Sequence, residues 1–247
     1  MSSDPNAAIS HVNLNANYWF LCCTLLFFII RVVTIPGNLL ELTTPSGGYN
    51  SFTDKIMSMI YIILVILVMV YLNSEAIKEK CATEKADTYL VFLTTVFPWL
   101  SIFGMLYAML LAMPGWKSPF SNTIGYLITI YFMGGKQKLL DLIDKSSKTN
   151  EKLIELISNN TSVLINEYGS ENIGRLKDLD KMKGSGTPFI SYSSGDDNSN
   201  ELNKKKYNKV ARLIMIKEFI SEFVWYILTG FLVISITTNY ILEQNCA

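Results

Sequence analysis

Five basic residues, Lys204, Lys205, Lys206, Lys209 and Arg212, fall within about two and a half helical turns. They stand just before an apolar stretch, Phe223 to Leu242. Such a cluster beside a bilayer draws anionic headgroups at roughly 1 kcal/mol per residue. The same cluster is an ordinary stop signal that fixes topology. Glu218 and Glu222 follow one turn apart, and the spacing predicts surface residues or partners of Lys217 and Arg212. His11 is the only histidine and has no second ligand near it. Cys22 and Cys23 sit inside an apolar run, while Cys81 and Cys246 are isolated, which predicts unpaired thiols rather than a disulfide framework. The sequence holds no P-loop, GxSxG, HExxH or GxGxxG pattern and no Cys/His ligand cluster. The expectation is therefore no enzyme, no metal and no cofactor.

The elements that carry these residues are read from hydropathy. Half of the 247 residues are apolar and only 17% are charged, a balance too apolar for an ordinary soluble domain. The net charge is zero, so nothing draws the chain to nucleic acid in bulk. Most of the 21 Lys and Arg lie between Lys136 and Lys217.

A polar N-terminal tail, 1–17, lacks the basic region of a secretory signal, so no cleaved leader is expected. Apolar stretches follow at 18–35, 56–72 and 89–113, and a last one at 223–242. Each is long enough, or nearly so, to cross a hydrocarbon core of about 30 Å. Tyr18 and Trp19 are placed for an interfacial aromatic belt. Arg31 is close enough to the end of its stretch to snorkel to the headgroups, with Glu41 or Asp54 as the alternative buried partner. Pro98 predicts a kink, and Gly104 with Ala108 forms a small-xxx-small pair. A tight turn built on Pro114, Gly115, Trp116 and Pro119 leads into a shorter apolar stretch, 120–133. That stretch is either a short span or a re-entrant helix. The loop lysines Lys78, Lys80 and Lys85 tilt the positive-inside count toward a span, and so toward five crossings rather than four.

Residues 136–180 carry apolar positions at helical spacing and read as an amphipathic helical region outside the membrane. Residues 181–200 read as a flexible linker, and 201–222 as a basic juxtamembrane helix. The fold class expected is an all-α integral membrane protein with four or five transmembrane helices, five favoured, plus a small helical extramembrane domain. The basic flanks of that domain place it in the cytoplasm and the C-terminus on the far side. Its sequons, Asn159-Asn160-Thr161 and Asn160-Thr161-Ser162, then stay unmodified.

Two pieces, ELTTPSGGYNSFTDK at Glu41 to Lys55 and PGWKSPFSNTIGY at Pro114 to Tyr126, resemble segments of a multispanning virion membrane or minor capsid protein of large nucleocytoplasmic DNA (giant) viruses. The resemblance covers about a third of the chain and includes no catalytic signature. It implies a structural role, anchoring or organising the protein shell on the internal lipid membrane of the particle. The implied partners are the lipid bilayer and other capsid or membrane proteins, in a homo- or hetero-oligomer. The implied location is the virion internal membrane and a host membrane during assembly. A channel, a transporter or a subunit of the machinery that brings a particle into its host is the alternative.

Overall fold

The computed structural model describes residues 5–44, 48–49, 52–81, 88–143, 155, 159–181, 189–190, 192 and 197–243. Among these the protein is helical, with no strand and two isolated β-bridges, Thr43 with Tyr49 and Ile143 with Phe189. Helix α1 spans Pro5–Val33, so the polar tail is helical from Pro5 and runs straight into the first apolar stretch. Pro36 and Gly37 follow its end, and Thr34 caps it by donating to the Arg31 carbonyl at 3.1 Å. Helix α2 spans Phe52–Lys80. Helix α3, Thr88–Pro98, passes through a π-helical turn at Trp99–Phe103 into α4, Gly104–Ala112. Pro98 has no N–H to give, and the wider turn follows it directly. Ser101 Oγ donates to the Phe97 carbonyl at 2.7 Å within that turn.

Among the described residues four helices are long and apolar enough to cross a membrane: Asn15–Val33, Phe52–Lys80, Tyr89–Ala112 and Asn200–Glu243. The stretch 120–133 is not among them. It is broken into one turn at Ser118–Phe120 and two π-helical turns, Ser121–Gly125 and Ile128–Phe132. Gly134, at φ +64°, turns the corner into α5, Gly135–Leu140. A short α6, Thr161–Ile165, and a 3-10 helix, Ile173–Lys181, follow. Residues 144–154, 156–158 and nearly all of the linker lie outside the described residues, so the amphipathic region expected over 136–180 is described at 136–143, 155 and 159–180. The chain closes on α7, Asp197–Glu243, 47 residues long. At about 1.5 Å per residue α7 is roughly twice as long as a bilayer core is thick, so only its apolar part, Phe223 to Leu242, has span character.

The helices divide into two compact units. The first holds Met1–Ile30, Phe52–Met113 and Phe223–Ala247. Its core is a chain of rings. Trp99 meets Phe20 at 5.6 Å, Phe20 meets Phe103 at 6.4 Å, and Phe103 meets Tyr226 at 5.1 Å. Tyr226 stacks on Tyr61 at 5.8 Å, and Tyr61 on Phe27 at 4.3 Å. Few polar groups enter this core. Thr24 spends its one proton on the Phe20 carbonyl at 2.7 Å, so the Tyr61 hydroxyl donates to Thr24, also at 2.7 Å. Asn73 donates to Thr95 at 2.9 Å. The outward faces are apolar too: Leu25, Leu26 and Ile29 on α1, and Met59, Ile60, Ile63 and Leu67 on α2, are exposed. Close approach in this unit occurs at Gly230, where any side chain would run into the Phe20 ring. It does not occur at Gly104, where a methyl would meet only the Trp99 carbonyl of its own helix, at 4.0 Å. Among the described residues, nothing outside its own helical run packs against Gly104.

At one end of this unit α2 finishes against α7. Ile77, Cys81, Val91 and Ile241 form a buried cluster, and Lys80 Nζ donates to the Leu242 carbonyl at 2.6 Å. Cys81 is disulfide-bonded, which corrects the expectation that the cysteines are unpaired. Cys22 and Cys23 are free thiols. The only other cysteine in the sequence, Cys246, lies outside the described residues.

The second unit holds Arg31–Ser51 and Pro114–Glu222. The first loop thus belongs with the polar region far down the chain. Leu40 N–H donates to Asn208 Oδ1 at 2.9 Å, Tyr49 N–H to the Ser170 carbonyl at 2.7 Å, and Lys177 to Thr43 at 3.1 Å. Its apolar core gathers Leu39, Leu40, Leu139, Leu142, Ile165, Tyr207 and Ile214.

Candidate functional site, a buried charge cluster and a basic groove

The second unit buries charge. Arg31, in the last turn of α1, is 4% exposed. Its guanidinium pairs with the Glu222 carboxylate and lies 4.0 Å above the Phe219 ring. Snorkelling is therefore corrected: the side chain turns into protein and pairs with Glu222, an acid the sequence does not put forward for it. Phe219 and Glu222 are three residues apart on α7, which puts the ring and the carboxylate on one face.

Lys117 reaches the same carboxylate from another direction. The residue before a proline is pushed out of helical geometry, and Met113, at φ −129° and ψ 75°, ends α4 just before Pro114. Pro114, Gly115, Trp116 and Lys117 then form a 3-10 turn. Its backbone is pinned by Ser221 Oγ, which donates to the Lys117 carbonyl at 2.6 Å. The turn aims Lys117 Nζ at Glu222, 2.6 Å away, with Glu218 at 3.7 Å. Burial by itself pulls the Lys117 ammonium down. The Glu222 and Glu218 carboxylates more than reverse this and hold it above the ordinary lysine range. Glu218 also accepts from the Ser170 N–H at 2.8 Å. Gly169 beside it leaves no room for a side chain against Glu218 and Glu171. Glu218 and Glu222, expected at the surface or beside Lys217 and Arg212, are instead the buried centre of this cluster.

Lys217 is 1% exposed. It donates to the Ile165 carbonyl at 3.0 Å, to Asn122 at 3.2 Å and to Asn166 at 3.3 Å. Three neutral oxygens thus replace water around its ammonium. Gly125 lets this happen, because a methyl there would sit 2.5 Å from the Lys217 carbonyl oxygen. Nearby, burial and the adjacent Glu167 push the Tyr168 phenol up to about 12.

Chemically this is a lock. Arg31, Lys117 and Lys217 are held by acids or carbonyls, and Ser221 gives its proton to a backbone oxygen. Among the described residues no three His, Cys, Asp or Glu side chains gather to hold a metal ion.

Part of the basic cluster on α7 forms a second feature. Lys205, Lys206, Lys209 and Arg212 line a groove of about 500 Å³ together with Lys138, Asp141, Val32, Met133, Leu202, Leu213 and Ile216. Lys204 is on the same helix but does not line it. Tyr18 and Trp19, the expected interface aromatics, are both largely exposed and meet edge to face at 6.3 Å. Trp116 and Pro119 sit in the turn around Lys117, with Trp116 43% exposed.

Sequence alone did not pair Arg31 with Glu222, 191 residues away. A usable signal was there: charged residues flank the apolar stretches at Arg31, Lys117, Glu218 and Glu222, and a charge in such a place needs an opposite charge. Comparison of the chain with protein families, with curated proteins and with solved structures finds no match.

Proposed function

We propose that the chain is an integral membrane protein with a structural role, and that its second unit works on one side of the bilayer as a platform for other proteins. The observation that carries the membrane part is the outer surface of the first unit. A helix in a soluble protein shows a polar outer face, whereas Met59, Ile60, Ile63 and Leu67 of α2 are apolar and exposed opposite its buried Tyr61, Val65 and Met69. The structural part is supported by the charge cluster, which ties the end of α1, the turn after α4 and α7 together. The resemblance of the Glu41 to Lys55 and Pro114 to Tyr126 segments supplies the setting: the internal membrane of a virus particle, with shell proteins as partners.

Four crossings fit the geometry better than five. Lys80 and Leu242 bond to each other, so the α2–α3 connection and the end of α7 share one side. An even number of crossings between them fits that bond. With α3–α4 and α7 as those crossings, the 120–133 stretch stays on the side of the second unit. A disulfide at Cys81 belongs to an oxidising compartment. The Lys-rich second unit then faces the cytoplasm, as the positive-inside rule asks. Intact cells treated with an impermeant reductant and then an impermeant maleimide should label Cys81. Labelling that requires permeabilised cells would restore five crossings. Glycan on Asn159 or Asn160 would overturn the sidedness.

The structural role is tested by in-particle cross-linking, which should join the second unit to shell proteins. A channel or transporter is the competing class. Liposomes carrying the purified protein should hold an ion gradient as well as protein-free ones, and sustained flux would replace the structural reading.

A further inference from the structure

We propose that the groove beside α7 binds a single anionic phospholipid, taken from the leaflet on the side of the second unit. The proposal rests on the membrane reading above, and it goes beyond a diffuse attraction of lysines for headgroups. Leu202, Lys206, Lys209, Leu213 and Ile216 repeat at intervals of three and four, so they form one stripe along α7. That stripe changes character along its length. After the exposed Leu202 it is basic at Lys206 and Lys209, and its C-terminal part is apolar and buried at Leu213 and Ile216. Lys205 and Arg212 flank the basic part, and Lys138 closes it from α5. Val32 and Met133 extend the apolar part. Beyond Met133, Phe132 and Tyr131 are 84% and 73% exposed, so apolar surface continues outward.

A cavity with cations at one end and aliphatic walls at the other matches a phosphate diester joined to an acyl chain. The existing polar contacts leave the cations available. Lys138 gives one of its three protons to the Met133 carbonyl at 2.9 Å. Arg212 gives one of its five to the Val32 carbonyl at 3.3 Å. Lys205 pairs with Glu201 at 2.7 Å on an exposed surface, where such a pair is weak. Asp141, the one acid of the groove, accepts from Gln137 at 3.2 Å. Among the described residues no carboxylate pairs with Lys206, Lys209 or Arg212. Five cations against one carboxylate leave an excess of positive charge for a phosphate to meet.

The test separates a built site from a charged surface. Full-length protein in neutral detergent is titrated with fluorescent phosphatidylglycerol and, separately, with fluorescent phosphatidylcholine. Lys206→Gln/Lys209→Gln/Arg212→Gln removes three groove charges. Lys55→Gln/Lys136→Gln/Lys204→Gln removes three charges from outside the groove. Saturable binding of phosphatidylglycerol is expected, weakened at least about tenfold by the first triple variant and little changed by the second. Equal weakening by both, or equal binding of the two lipids, would overturn the site. Inorganic phosphate should compete only feebly, and full competition by it would replace the lipid with a free phosphate. A protein that stays soluble and monodisperse without detergent would instead undo the membrane reading, and that result can be told apart from loss of lipid binding.

Discussion

Phe20 and Arg31 stand about three turns apart on α1, and the protein buries them by opposite means. Around Phe20 the first unit stacks rings, with a hydroxyl here and there. Around Arg31 the second unit assembles acids, cations and backbone oxygens from three parts of the chain. A ring core is adaptable, since each ring has several neighbours and losing one leaves a dry gap. A charge cluster is not, since removing one member leaves its partner charged and dry. The two units should therefore respond very differently to small changes.

The largest effect is expected at Glu222. Glu222→Gln leaves Arg31 and Lys117 without their shared carboxylate and should cost about 3–5 kcal/mol, read as thermal unfolding in detergent. Replacing Arg31, Lys117 and Glu222 together with apolar residues of similar volume, and Glu218 with Gln so that no buried charge is orphaned and Ser170 N–H keeps an acceptor, should recover much of that loss. Wild-type stability in the Gln variant would remove the contrast between the units.

The glycines sharpen it. Gly125→Ala drives a methyl against the Lys217 carbonyl oxygen, and backbone of a long helix cannot move aside. Gly230→Ala drives one against the Phe20 ring, which can re-pack. Both belong to an overpacking range of about 1–3 kcal/mol, Gly125→Ala at the upper end and Gly230→Ala at the lower. Phe20→Leu should rescue Gly230→Ala, whereas no single side-chain change should rescue Gly125→Ala. The reverse order would mean that the ring core is the stiffer of the two.

Tyr61→Phe removes one hydroxyl from the ring core and leaves Thr24 still bonded to the Phe20 carbonyl. A loss of about 1 kcal/mol is expected. The smallest effect concerns pH. The Lys117 pKa is raised in the fold, so its contribution is full below the unfolded value of about 10.4 and fades as pH rises through the folded one. Stability compared between wild type and Lys117→Arg should therefore differ by a constant amount from pH 6 to 10. The difference should drift in favour of arginine only at higher pH. A drift near neutrality would mean that the carboxylates do not hold the ammonium as described.

The apolar helices were legible because each is a local pattern: hydropathy over a window names α1, α2, α3 with α4, and the end of α7. Less local features escaped. Whether 120–133 crosses depends on Gly125 fitting against Lys217 and on turns wider than an α-helix, neither of which hydropathy registers. Gly104 and Ala108 had the spacing of a packing pair, yet Gly230, with no partner motif, is where a ring meets backbone. The basic cluster was visible as charge, but which of its members share a cavity, with Lys204 left out, depends on the second wall supplied by Lys138 and Met133. Arg31 was conspicuous in the sequence, while its partner required the fold.

That separation sets a timetable for biogenesis. Arg31 emerges from the ribosome 191 residues before Glu222. At about 5–20 residues per second, the wait is on the order of ten to forty seconds. During it α2, the α3–α4 pair and then Lys117 are made, while the Glu222 carboxylate that Arg31 and Lys117 share has yet to appear. The cluster around Glu222 therefore closes only when the last helix arrives.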